Sequence, residues 1–226
     1  MTAPPLARTV LLHLLPGVLT GLLYLGLGRA FHARGWPVLW ALMLATALAL
    51  LPFEWAVLRA AGWPQGKRLS GRTLGLTALL TLLGAALLPG LAVPFQPLFD
   101  RLIASLPAWF PLEQGIQELR TLPSPLLELT LVAWVGLFVL LGPVVEEAYF
   151  RGLLLPRLAH LGRWAAPLNA LLFALYHVWQ PQGWLRVFLT ALPLSLAARA
   201  SESTLPGVVA HVTVNLLAAL LLFRPA

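Results

Sequence analysis

The sequence predicts an all-α fold, a polytopic transmembrane helical bundle of about seven spans, in a range of six to eight. Three observations lead there. Hydrophobic residues make up 59% of the 226-residue chain, charged residues only 10%, and the mean hydropathy is +0.84. A globular domain carries roughly a quarter charged residues. Apolar runs near the length needed to cross hydrocarbon, about 20 residues, recur along the chain. Proline and tryptophan interrupt these runs, as is common in membrane helices and at their interfaces. A soluble core has no room for this much apolar surface.

The predicted spans are 9–28, 37–61, 73–93, 125–158, 164–180, 184–200 and 205–223. The N-terminal stretch MTAPPLARTVLLHLLPGVLTG has one Arg, a long apolar run and no clear small-residue cleavage site, so a retained first span is expected. The span 125–158 is too long to cross perpendicularly and must tilt, kink or protrude, and 164–180 is marginal in length. Pro16, Pro52 and Pro193 fall inside spans and are expected to mark kinks. Between the third and fourth spans, Leu98, Phe99, Leu102, Ile103 and Leu106 recur at helical spacing beside Asp100 and Arg101. That pattern predicts an interfacial helix on the membrane surface, serving as a gate or as a plain connector. With no internal repeat and no soluble segment, a single integral membrane domain, 1–226, is expected.

The formal net charge of +7 comes from 15 Lys and Arg spread over the inter-helix loops, where they set orientation and meet anionic lipid headgroups. Membrane lipids are therefore expected partners. A nucleic-acid role needs a concentrated basic face, which the pattern lacks. There is no Cys, which excludes disulfides and thiol catalysis. Arg59, Lys67, Arg68 and Arg72 after the second span, with Arg157 and Arg163 after the fourth, favour a cytoplasmic N-terminus. Arg29 and Arg34 in the first loop oppose it.

An ionisable group at the bilayer centre costs about 2.5–3.5 kcal/mol on insertion scales, so each one asks for a reason. Glu54 and Glu128 lie near predicted span ends and are expected to reach the headgroups. His13, alone near the start of the first span, is expected to be a satisfied or interfacial histidine. The rest concentrate in three spans. Glu147 and Arg151 are four apart on one helix face and can pair, while Glu146 is turned about 100° away. One reading is a neutralised pair plus a polar packing residue. The sharper one is that Arg151 holds Glu147 and leaves Glu146 free for chemistry. LNALLFALYHVW sets Phe173 and His177 four apart, with Asn169 a turn back, and GVVAHVTVNLL does the same for His211 and Asn215.

Depth ties these residues together. At 1.5 Å per residue, Glu146 and Glu147 lie roughly 15 Å in from Arg157, His177 about 18 Å from the level of Trp164, and His211 and Asn215 about 12 and 18 Å from Ser203. All five reach a similar depth from one side, as a single site requires. A carboxylate in an apolar pocket is a stronger base than in water. Two imidazoles can hold a water, donate to a developing oxyanion or ligate a metal, and Asn215 can donate to that oxyanion. Glu146, His177 and His211 also match the ligand set of a catalytic zinc site with an open fourth position, which makes Zn2+ the cofactor such a set would take. No serine stands out beside these histidines. The expected chemistry is water activation, and hence hydrolysis of an amide or ester.

EEAYFR, FALYH and HVTVN match EExxxR, FxxxH and HxxxN motifs in that order. Together they resemble the CPBP family (CAAX protease and bacteriocin-processing, or ABI) of intramembrane proteases, which includes the eukaryotic type II CAAX prenyl endopeptidases. The resemblance covers residues 125–223, the expected catalytic core. It implies an intramembrane endopeptidase acting on a membrane-associated peptide or protein. By that resemblance Glu146 activates water with help from His177, His211 and Asn215 stabilise the oxyanion or complete the site, and Glu147 with Arg151 supports its geometry. It leaves open whether a metal assists. Prenylated CAAX substrates belong to eukaryotes. The compact chain looks like a prokaryotic member in the inner membrane, its site opening toward the cytoplasm and its substrate different.

Two other readings compete: a non-proteolytic scaffold or bacteriocin self-immunity protein of the same fold, and a transporter with a Glu–His proton relay. The absence of inverted repeats or paired broken helices counts against the transporter.

Overall fold

The computed structural model describes residues 5–119 and 121–222. Residue 223, the predicted end of the last span, lies outside them, as do residues 1–4, 120 and 224–226. Among the described residues there are eight helices and no strand: α1 (Leu6–His32), α2 (Val38–Ala61), α3 (Gly71–Ile103), α4 (Leu112–Leu119), α5 (Ser124–Arg157), α6 (Ala165–Tyr176), α7 (Trp184–Ser201) and α8 (Leu205–Leu222). The first three and α5 are long and apolar enough to cross a membrane, and α8 contains a shorter apolar run, Leu205–Leu221. The fold is an all-α helical membrane bundle.

Prolines shape the two helices that matter most for the site. Among the described residues, three widened, π-helical turns occur, at Thr46–Leu50, Val135–Leu141 and Glu147–Leu154. Each ends two residues before a proline: Pro52, Pro143 and Pro156. Proline has no N–H to give the carbonyl four residues back, and its ring crowds that carbonyl, so the preceding turn loosens. Pro52 thus disturbs its helix as expected, whereas Pro16 and Pro193 sit in unbroken α-helix.

The predicted span 164–180 is broken. α6 has 12 residues, about 18 Å of helix, too short to cross hydrocarbon about 30 Å thick. The chain leaves the α-helix at His177 (φ −76°, ψ 56°) and continues through a turn into a short 3-10 stretch, Pro181–Gly183, with Trp179, Pro181 and Gln182 buried. Its backbone groups find partners: the His177 carbonyl accepts from Gln180 N and from Trp184 Nε1, each at 3.1 Å. Irregular backbone at membrane depth is tolerated where protein encloses it. Gly17 of α1 permits this bend, since a Cβ there would overlap the Tyr176 carbonyl.

A helix does form where the interfacial one was expected, but it is not separate. Gln96–Ile103 continues α3 through a 3-10 stretch, Leu88–Phe95, with Leu98 and Leu102 exposed. The connector then folds back onto the bundle, where Tyr24 donates to the Phe110 carbonyl at 2.8 Å and Glu118 accepts from Val38 N at 3.0 Å.

His13 is a satisfied core histidine. Its Nδ1 donates to the Thr9 carbonyl at 2.8 Å and its Nε2 accepts from Asn169 Nδ2 at 3.0 Å. Asn169 also accepts from Ser195 at 2.9 Å, so one buried network joins α1, α6 and α7. Glu128 is exposed. Glu54, expected at the headgroups, is instead completely buried, because its side of α2 packs against the middle of α5.

Candidate active site

The widened turn of α5 presents two adjacent carboxylates to different surroundings. Glu147 is sealed: neither its side chain nor that of Arg151 is exposed, and Arg151 Nη1 lies 3.1 Å from Glu147 Oε1. The guanidinium also stands over the Phe173 ring, 4.1 Å from its centroid, a cation–π contact favoured in a dry setting. His211 Nδ1 donates to the same Glu147 oxygen at 3.0 Å. Gly207, one turn before His211 on α8, leaves room for this carboxylate. A Cβ there would lie 2.6 Å from Glu147 Oε2.

Glu146 keeps 13% of its side chain exposed. Tyr176 donates its hydroxyl to Glu146 Oε1 at 2.8 Å. The other oxygen, Oε2, faces His211 Nε2 at 3.8 Å, too far for a hydrogen bond. His177 Nδ1 is 2.8 Å from the Phe173 carbonyl. A carbonyl only accepts, so Nδ1 carries the proton and the Nε2 lone pair is left free. His211, donating from Nδ1 to Glu147, likewise leaves its Nε2 lone pair free in the neutral ring. Asn215 spends one amide N–H on the Phe138 carbonyl at 2.9 Å and keeps the second.

Glu146, His177, His211 and Asn215 line one cavity of about 400 Å³, with Trp134 and Phe138 among its apolar walls. Glu147 does not line it, and Arg151 instead touches a separate cavity between residues 64–67 and 198–204. All six predicted residues thus come together, four around open space and two behind it. Two neighbours escaped the sequence reading. Tyr176 reads as core in an apolar helix, although it precedes His177 directly. Glu54, facing Glu146 and the Tyr176 hydroxyl, lies about 10 Å inside the end of α2 by helix rise, and that depth was its only signal.

The cavity reaches Leu42, Ile116 and Arg186, toward the end of the bundle that carries α4. The loops with Lys67, Arg157 and Arg163 meet at the opposite end, where Lys67 pairs with Glu202 at 2.9 Å and Arg199 donates to the Gly162 carbonyl. Cytoplasmic arginine-rich loops and a cytoplasmic opening of the site are therefore alternatives, since the two lie at opposite ends.

The donor chemistry of Glu146, His177 and His211 suits zinc. As arranged, however, no three His, Asp or Glu side chains among the described residues form a group that could hold a metal ion.

No curated protein and no solved structure matches the chain. The resemblance carried by the three motifs has independent support in a family comparison: residues 128–217, which include all three, match the family described as Type II CAAX prenyl endopeptidase Rce1-like, a family of CAAX-type intramembrane proteases.

Proposed function

We propose that this chain is an intramembrane endopeptidase in which Glu146 is the general base. The observation that carries this reading is the contrast between neighbours: Glu146 opens into a cavity with two imidazoles, while Glu147 is locked away by Arg151 and His211. A water held between Glu146 and the free Nε2 of His177 loses a proton to Glu146 as its oxygen attacks the scissile carbonyl carbon. The remaining N–H of Asn215 donates to the oxyanion that forms. Glu146 then returns its proton to the leaving amine nitrogen as the C–N bond breaks. Glu147 and Arg151 hold His211 in place, and Tyr176 holds Glu146. A membrane-associated peptide or protein is the substrate, entering from the apolar walls.

The test is cleavage of a membrane-anchored peptide library by purified protein, comparing wild type with Glu146→Gln, with and without a zinc chelator. Loss of cleavage in the variant at unchanged melting temperature supports the reading, and cleavage that survives chelation supports glutamate acting unaided. A folded wild type that cleaves nothing in the library favours the scaffold or immunity reading.

A further inference from the structure

Glu54 is the buried carboxyl that this mechanism leaves idle, and the family match, which begins at residue 128, does not reach it. It is 0% exposed, and neither of its oxygens makes a hydrogen bond of ordinary geometry. Among the described residues no Lys or Arg forms an ion pair with it. The polar groups around it are Glu146, Tyr149 and Arg151 from α5 and Tyr176 from α6. A lone carboxyl inside a membrane bundle is costly, and glutamine or leucine would fill the same space without an ionisable group.

We propose that Glu54 is a positioning residue for the general base, acting through the Tyr176 hydroxyl; this rests on the endopeptidase reading. Tyr176 has one hydroxyl proton, and it is given to Glu146 Oε1 at 2.8 Å. The phenol oxygen can still accept. Glu54 meets that oxygen favourably only as an O–H donor, because two ionised carboxylates around one hydroxyl repel each other. The chain then runs from Glu54 O–H to the Tyr176 oxygen and from Tyr176 O–H to Glu146 Oε1, with one proton for each link. Holding the hydroxyl this way fixes one oxygen of Glu146 and leaves Oε2 directed at the cavity. Glu54 makes and breaks no bond to substrate.

Glutamine can replace an O–H donor with its amide N–H, whereas leucine cannot. Glu54→Gln is expected to keep kcat within about threefold, and Glu54→Leu and Tyr176→Phe each to lower it about five- to tenfold at unchanged KM, the scale of one hydrogen bond. Adding Glu54→Leu to Tyr176→Phe should produce no further loss. An infrared spectrum gives a readout that needs no activity: a protonated-carboxyl C=O band that Glu54→Gln removes and Tyr176→Phe shifts. Wild-type kcat in Glu54→Leu, losses that multiply in the double variant, or absence of that band would each overturn the proposal. Should Glu54→Leu not fold, the band and the glutamine variant still decide. Cleavage that persists in Glu146→Gln would instead overturn the endopeptidase reading, with the infrared result still reporting on the Glu54–Tyr176 pair.

Discussion

Gly207 stands so close to Glu147 that a methyl group on it would lie 2.6 Å from the carboxylate oxygen Oε2. Neither α8 nor the sealed carboxylate can yield cheaply, since Glu147 is fixed by Arg151 and His211. Gly207→Ala is expected to lower stability by about 1–3 kcal/mol, the usual cost of overpacking, and to reduce cleavage by shifting His211. Gly75, in α3, has nothing within 4 Å of an added Cβ. Gly75→Ala should be neutral or stabilising by up to about 1 kcal/mol. Thermal melting of the two variants in detergent separates a local clash from a general effect of losing a helical glycine.

Removing one member of the buried pair should cost more than removing both. Arg151→Leu strands the Glu147 charge in a dry site and is expected to cost about 3–5 kcal/mol. Replacing Glu147 and Arg151 together by leucine removes the stranded charge and should recover most of that loss in a melting experiment. Cleavage should not recover with it, because His211 Nδ1 loses its acceptor. A double variant as unstable as Arg151→Leu alone would show that the pair contributes through packing rather than charge.

The network around Asn169 is a stability element that the proposed mechanism does not use. Asn169 donates to His13 Nε2 and to the Phe150 carbonyl, each at 3.0 Å, and accepts from Ser195 at 2.9 Å. Asn169→Leu unpairs all three partners, and each buried polar group left alone costs about 1–3 kcal/mol. Ser195→Ala unpairs only Asn169 Oδ1 and should cost about 1 kcal/mol. The expected order in melting temperature is wild type, then Ser195→Ala, then Asn169→Leu.

How much of this could be read in the sequence depends on the kind of contact. The Glu147–Arg151 pair follows from a spacing of four, which helix geometry turns directly into proximity. The convergence of Glu146, His177, His211 and Asn215 followed from depth, because rise per residue is fixed wherever a helix runs. What failed was continuity. Nothing in LNALLFALY weakens a helix, and the break at His177 depends on Trp184 and Gln180 bonding to its carbonyl, contacts supplied by the next segment of chain. Glu54 was expected at the headgroups from its place near the predicted span end, but which face of α2 meets α5 is set by tertiary packing. Tyr176 carries no charge to mark it, so its bond to Glu146 was invisible among the core aromatics.

Access to the site can be mapped because the chain has no cysteine to interfere. Gln65 is exposed at the end where Lys67 pairs with Glu202, and Thr121 is exposed beside the start of α5 at the other end. Thr190 lines the cavity with Glu146 and His177. Single cysteines at these three positions, treated with a membrane-impermeant maleimide in intact and in permeabilised cells, report which face each occupies. Since the cavity runs toward α4, Thr190→Cys is expected to share the labelling pattern of Thr121→Cys and to differ from that of Gln65→Cys. The opposite pairing would mean that water reaches Glu146 from the arginine-rich end. The positive-inside rule bears only on those loops, so it is the Thr190 label that tells from which side a substrate can approach.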